Sequence, residues 1–146
     1  MAACNRSVPA DIVLPHIMYR NVAAAVAWLS RAFGFVEHYR YGIGPDGAVS
    51  GAQMCLGRAY FMLKASPGAT PSELGCGTQS LTVFVDDVDA HYRRAQAAGA
   101  KIVEEPNQTV YGEYQYAAED LDGHHWLFSR HARDLSPADW GATLSR

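Results

Sequence analysis

One short pattern occurs twice in this chain, and that duplication constrains the fold more than any other feature. Asn21-Val22 opens an apolar stretch that reaches Gly34-Phe35-Val36, and Asp87-Val88 opens a second that reaches Gly99-Ala100-Lys101-Ile102. A strand-like run precedes each, Ile12–Tyr19 in the first half and Leu81–Val85 in the second. Later in each half a Gly leads into another apolar run, Gly57-Arg58-Ala59-Tyr60-Phe61 and Gly123-His124-His125-Trp126-Leu127. A duplicated half-domain implies two similar sheets facing each other across a cleft, and the cleft is where function is expected.

The local signals fill in each half. Asn21 is a fitting N-cap, because its side-chain amide can satisfy a free backbone N–H at a helix start. Val22, Val26, Leu29 and Phe33 recur at helical spacing, and Gly34 can take the left-handed conformation that ends a helix. Strands are predicted over 35–41, 49–55 and 59–64, with a turn cluster at 42–47 and a two-residue link at Gly57-Arg58. Residues 65–77, rich in Pro, Gly, Ser and Thr, read as a linker. The order then repeats: a strand over 80–85, a helix from the Asp87 cap to about 98, and strands over 101–104, 113–119 and 125–128. A loop is predicted over 106–112. The fold class is therefore α+β: two βαβββ modules, about 10–66 and 78–131, forming facing curved mixed sheets. One domain is expected over 10–135. Residues 132–146 read as a tail in which Ser136-Pro137 caps one more helical turn and Trp140 docks it.

Bulk properties narrow the function classes. The 146 residues suffice for one domain with a core, and 49% hydrophobic with 18% charged residues describes a globular chain. A net charge of −3 gives no attraction to nucleic acid or an anionic membrane. No apolar run approaches the roughly 20 residues of a membrane span, and the N-terminus lacks the apolar core of a secretory signal, so a cytoplasmic protein is expected. Cys4, Cys55 and Cys76 form no CxxC pair, hence no zinc framework. Gly42-Ile43-Gly44-Pro45 has no helix after it to cradle phosphate.

The order, spacing and duplication of these motifs resemble the vicinal-oxygen-chelate superfamily of glyoxalase I, bleomycin-resistance proteins and extradiol dioxygenases. The residues that carry the resemblance are Asn21–Leu29 with Phe33-Gly34-Phe35, Asp86-Asp87-Val88-Asp89-Ala90, and Glu119-Asp120-Leu121-Asp122-Gly123-His124. The last is similar to that family's Asp-Pro-x-Gly-Asn turn, with Leu121 in place of Pro. His124–Phe128 followed by Asp134-Leu135-Ser136-Pro137 resembles its small bacterial glyoxalase-like branch.

The resemblance implies a cavity between the sheets, and, in catalytic members, one divalent metal. Its ligands stand seven residues before the helix-capping residue and four after the turn Gly. Those positions here are Leu14, Ser80, Phe61 and Leu127, so the usual Lewis-acid site lacks its donors and no metal ligand is assigned. His16 and His125, two residues from Leu14 and Leu127 on the same strand faces, are the alternative: a displaced metal or a metal-free acid/base pair. The expected cavity lining is His16, Met18, Phe61, Ser80, Thr82, Phe84, His125 and Leu127, with Tyr111, Tyr114 and Tyr116 flanking it. Tyrosine combines a flat apolar face with a hydroxyl, which suits stacking on a ring-bearing ligand. No catalytic residue is assigned, and Cys55 and Cys76 have no base partner in the sequence pattern. Trp28 and Trp126 fall on the helix-packing faces.

Two function classes follow. One is a binder that sequesters an aromatic or amphipathic small molecule without metal, cofactor or catalysis, as drug-binding members of the family do. The other is a glyoxalase-type lyase or isomerase that uses the displaced site. The resemblance also implies a homodimer whose cavities are completed by the second subunit.

Overall fold

The computed structural model describes residues 13–145. The chain divides into two compact units, the first ending at Thr70 and the second beginning at Pro71. Each has the element order strand, helix, three strands, and each holds a four-stranded mixed sheet.

The first unit contains β1 (His16–Tyr19), α1 (Val22–Phe33), β2 (Val36–Ile43), β3 (Val49–Leu56) and β4 (Ala59–Ala65), with sheet order β1-β4-β3-β2. β1 is shorter than predicted: residues 13–15 are not strand, and Ile12 lies outside the described residues. The Asn21 side chain accepts the Ala24 N–H at 3.0 Å, and Gly34 ends the helix at φ 78°. α1 buries Val22, Ala25, Val26, Leu29, Ala32 and Phe33. These side chains pack on Tyr19, Ala52, Met54, Phe61 and Leu63, all buried. Each large apolar side chain removed from water here contributes roughly 1.5–3 kcal/mol.

The second unit contains α2 (Pro71–Leu74), β5 (Ser80–Phe84), α3 (Val88–Ala97), β6 (Lys101–Gln108), β7 (Glu113–Glu119) and β8 (His125–His131), with sheet order β5-β8-β7-β6. The Asp87 side chain accepts the Ala90 N–H at 2.9 Å. The core under α3 is an aromatic stack: the His91 ring lies 4.1 Å from Phe128, which stacks on Tyr116 at 5.3 Å and on Trp126 at 6.3 Å. Trp126 donates its indole N–H to Asp120 at 3.0 Å, and Asp120 also accepts the backbone N–H of Asp122 and His124.

Further differences from the sequence expectation lie in the linker, β6 and β8. The linker contains the helical turn α2, whose Ser72 N–H binds the Asp122 carbonyl at 3.0 Å. β6 runs through Pro106 instead of ending at Glu104, which is tolerated because β6 is an edge strand with its register shifted between Glu104 and Asn107. β8 extends to His131. Beyond it, Pro137–Trp140 forms a 3-10 turn after Ser136, and Trp140 meets the Tyr111 ring at 5.9 Å, as the tail reading expected.

Candidate functional site

Each sheet has one face under its own helix and one face free of it, and strand register sorts the side chains between them. Residues paired across a ladder share a face, and neighbours along a strand alternate.

On the second sheet, Ser80 pairs with His125, Thr82 with Leu127, and Phe84 with Ser129. Across β7 these rows continue to Glu119, Ala117 and Gln115. Phe128 and Trp126 point to α3, so the whole set lies on the helix-free face. The structure thus brings Ser80, Thr82, Phe84, His125 and Leu127 together on one surface. Tyr111 stands at its rim in the β6–β7 hairpin and donates its hydroxyl to Gln115 Oε1 at 3.2 Å. Phe84 is 67% exposed on this face. One end of the surface is polar: Ser129 donates to Glu113 Oε2 at 3.3 Å, and the His131 ring nitrogens lie 3.1 Å from Glu113 and 2.7 Å from Asp134. Those two carboxylates hold the His131 pKa above its ordinary value.

Tyr114 and Tyr116 are placed otherwise than the sequence reading expected. Both lie on the helix side of β7. The Tyr116 hydroxyl is 2.5 Å from His91 Nδ1, and burial pushes its phenol pKa well up. Tyr114 donates to Asp89 at the start of α3 at 2.6 Å, and that bond raises its pKa. The hairpin between β7 and β8 holds Asp120–His124 between the paired Glu119 and His125, and this odd-length loop sets which alternate residues share a face with Leu127.

Phe61 is the third correction. Its ring meets Phe35 at 4.9 Å beneath α1, so it belongs to the core of the first unit. The reason is hairpin length. Leu56 pairs with Ala59 across a two-residue turn, with Gly57 at φ 57°, whereas the matching turn in the second unit has five residues. Aligning Gly57 with Gly123 therefore slips by one residue, and a one-residue slip moves a side chain to the opposite face. Met62, paired with His16, occupies the place that Leu127, paired with Thr82, holds in the second unit.

The helix-free face of the first sheet carries His16 and Met18 on β1, both exposed, with Met62 and Lys64 on β4. It also carries residues that the sequence reading missed. A bulge at His38 shifts the β2 register between Glu37 and Tyr39. Beyond it Tyr39 pairs with Gln53 and Tyr41 with Gly51, so both tyrosines join this face. Gln53 is completely buried: its Oε1 meets His38 Nδ1 at 2.6 Å, and its amide nitrogen donates to Met62 Sδ at 3.5 Å. The Tyr41 ring lies over Gly51, where a Cβ would fall 2.3 Å from its Cζ.

These positions do not supply a hard-ligand set for a divalent metal. Leu127 offers no donor and Met62 only a soft thioether, while Glu119, beside His125, is paired with Lys101 at 3.1 Å. Among the described residues no three His, Cys, Asp or Glu side chains cluster to hold an ion. Cys55 is half-buried and Cys76 exposed. No helix among the described residues is long and apolar enough to cross a membrane.

Two four-stranded mixed sheets, each with a parallel edge strand and one packed helix, define an α+β protein of paired βαβββ units. Residues 12–128 match the family model described as the Glyoxalase/Bleomycin resistance protein/Dioxygenase superfamily, and the chain belongs to that superfamily. The crystal structure of TioX from Micromonospora sp. ML1 is similar at 31% identity and a TM-score of 0.67, covering 86% of this chain and all of that one. A bleomycin-binding protein complexed with bleomycin shares the fold at 20% identity and a TM-score of 0.65, covering 84% of this chain and 99% of that one. An uncharacterised protein of Mycobacterium bovis is 29% identical over 138 residues, 90% of each chain.

Proposed function

We propose that this protein is a non-catalytic binder of a ring-bearing, amphipathic small molecule, held against a helix-free sheet face without a metal. The observation that supports this most is the side chain at the last-strand position where catalytic relatives need a hard ligand, Met62 in the first unit and Leu127 in the second. Each unit's face offers apolar and aromatic surface of its own, exposed Met18 with Tyr41 in the first and exposed Phe84 with Tyr111 in the second. The bleomycin-binding relative of the same fold makes sequestration of a toxic compound a fitting role, and bleomycin a natural first probe. In this reading the protein acts in the cytoplasm as a homodimer. Exposed Val36, Tyr41 and Ile43 on the edge strand β2 offer apolar area for a second copy.

Titration of the purified chain with bleomycin and with simple naphthalene derivatives, followed by tryptophan fluorescence, tests the reading. Saturable binding that persists in EDTA supports it. A stoichiometric divalent metal that is lost in His16→Ala or His125→Ala would instead establish the lyase or isomerase alternative.

A further inference from the structure

After β8 the chain turns back over the β6–β7 hairpin. Ala132 and Arg133 donate their backbone N–H groups to the Gly112 carbonyl at 2.9 and 3.0 Å. Gly112 permits that approach: its φ is 93°, and a Cβ there would fall 2.3 Å from the Arg133 carbonyl oxygen. Past Arg133 the chain bonds mainly to itself. The Ser136 N–H donates to Asp139 Oδ2 at 2.7 Å, and the Ala142 N–H to the Pro137 carbonyl at 2.8 Å. Trp140 meets the Tyr111 ring edge-on at 5.9 Å and is 41% exposed. Among the described residues, one polar contact joins 134–145 to the rest of the second unit: Asp134 Oδ1 lies 2.7 Å from His131 Nε2.

The His131 ring stands between two carboxylates that are held unequally. Glu113 on β7, 3.1 Å from Nδ1, is half-buried and also accepts the Ser129 hydroxyl at 3.3 Å. Asp134 is fully exposed. These two are the charges that act on the ring. Arg130 on β8 reaches the His131 carbonyl instead, at 3.5 Å, with its guanidinium over the Tyr114 ring, and Arg133 is the basic residue of the turn itself. An imidazolium donates to both carboxylates. A neutral ring has one N–H, keeps the half-buried Glu113, and turns a lone pair toward Asp134.

We propose that residues 134–141 form a proton-gated strap: the protonated His131 ring ties Asp134 down and seats Trp140 on Tyr111, and loss of its proton releases the segment from a hinge at Ala132-Arg133. Release uncovers more of the Tyr111 ring, at the rim of the helix-free face of the second sheet. Because the two carboxylates hold the His131 midpoint above its ordinary value, the strap is closed below that midpoint and opens as pH rises through it. The ion pair is exposed and screened, so the open population is expected to rise on the order of twofold to fivefold.

Amide hydrogen exchange of the 15N-labelled full chain tests this. It is read at Asp139 and Gly141, about one pH unit below and above the His131 midpoint, with each rate corrected for the intrinsic rate at that pH. The corrected rates are expected to be on the order of twofold to fivefold higher above the midpoint, while those of β7 stay level. The Trp140 and Tyr111 ring resonances are expected to shift with the midpoint of the His131 ring protons. His131→Arg keeps a cation that can donate to both carboxylates and is expected to stay closed at either pH. Asp134→Asn is expected to lose the pH step. Both side chains are exposed, so neither variant disturbs the core. Corrected rates that do not change, a midpoint that differs from that of His131, or a step that survives in Asp134→Asn overturns the strap. No ligand is present, so the outcome is independent of the binding reading.

Discussion

Two buried glutamines, Gln53 and Gln115, stand on the helix-free faces of the two sheets and are used differently. Gln53 has both ends of its amide engaged, by His38 and Met62. Gln115 has its oxygen held by Tyr111, while its nitrogen is engaged by no described residue and is not cut off from solvent. The difference begins on the edge strands. In the first unit the bulge at His38 brings an imidazole to the amide oxygen and places Tyr39 beside it. In the second unit the corresponding edge strand has the matching shift between Ile102 and Glu104, with Val103 in the place of His38, and a second shift between Glu104 and Asn107, where Asn107 turns back to Glu104 and Glu105. A duplicated architecture has thus yielded one face with a closed polar centre and one whose glutamine nitrogen meets solvent. Symmetry of topology does not carry symmetry of chemistry, because the residue at each shift of an edge strand decides which side chains meet.

The largest expected effect tests the difference in hairpin length. Phe61→Ala empties a core position and is expected to cost about 3–5 kcal/mol in urea unfolding. Leu127→Ala, equally spaced from its turn glycine but on the helix-free face and half-buried, is expected to cost under about 1.5 kcal/mol and to weaken ligand binding instead. Equal stability losses would break the assignment of the two residues to different faces. Next comes the glutamine pair. Gln53→Leu leaves His38 and Met62 without their partner and is expected to destabilise by about 1–3 kcal/mol, whereas Gln115→Leu is expected to change stability by less than about 0.5 kcal/mol. Thermal denaturation of both variants sharpens or removes the contrast. Tyr116→Phe deletes the hydroxyl facing His91 and is expected to cost about 1 kcal/mol with no change in ligand affinity, since the ring packs under α3. A loss of affinity there would return Tyr116 to the ligand surface.

The smallest effect concerns pH. Glu113 and Asp134 raise the His131 pKa above its unfolded value of 6.5. The stabilisation from this pair is therefore complete below pH 6.5 and is lost as pH rises through the folded pKa. Both ring nitrogens face carboxylate oxygens, and only the imidazolium can donate from both. A proton NMR titration is expected to place the His131 midpoint above 6.5, and added salt to lower it, because the side chain is exposed.

The sequence was informative wherever the deciding physics is local. The caps at Asn21 and Asp87, the helix end at Gly34 and the alternation along β5 depend on neighbours within a few residues, and each is where the residues placed it. That Ser80, Thr82, Phe84, His125 and Leu127 share one face of the second sheet followed from that alternation once the strands were found. Pro106 was misleading, because its meaning depends on whether the strand is central or at an edge.

What the sequence by itself determined is the pair of βαβββ units and the caps that start their helices. What only the tertiary structure decided is the face on which several side chains fall: Phe61, Tyr114 and Tyr116 under the helices, and Tyr39, Tyr41, Gln53 and Gln115 away from them. The physical reason is the two-residue period of a strand. Alternation fixes relative faces within one strand, but carrying that assignment to the next strand requires the length of each turn and the position of each bulge, and pairing sets both.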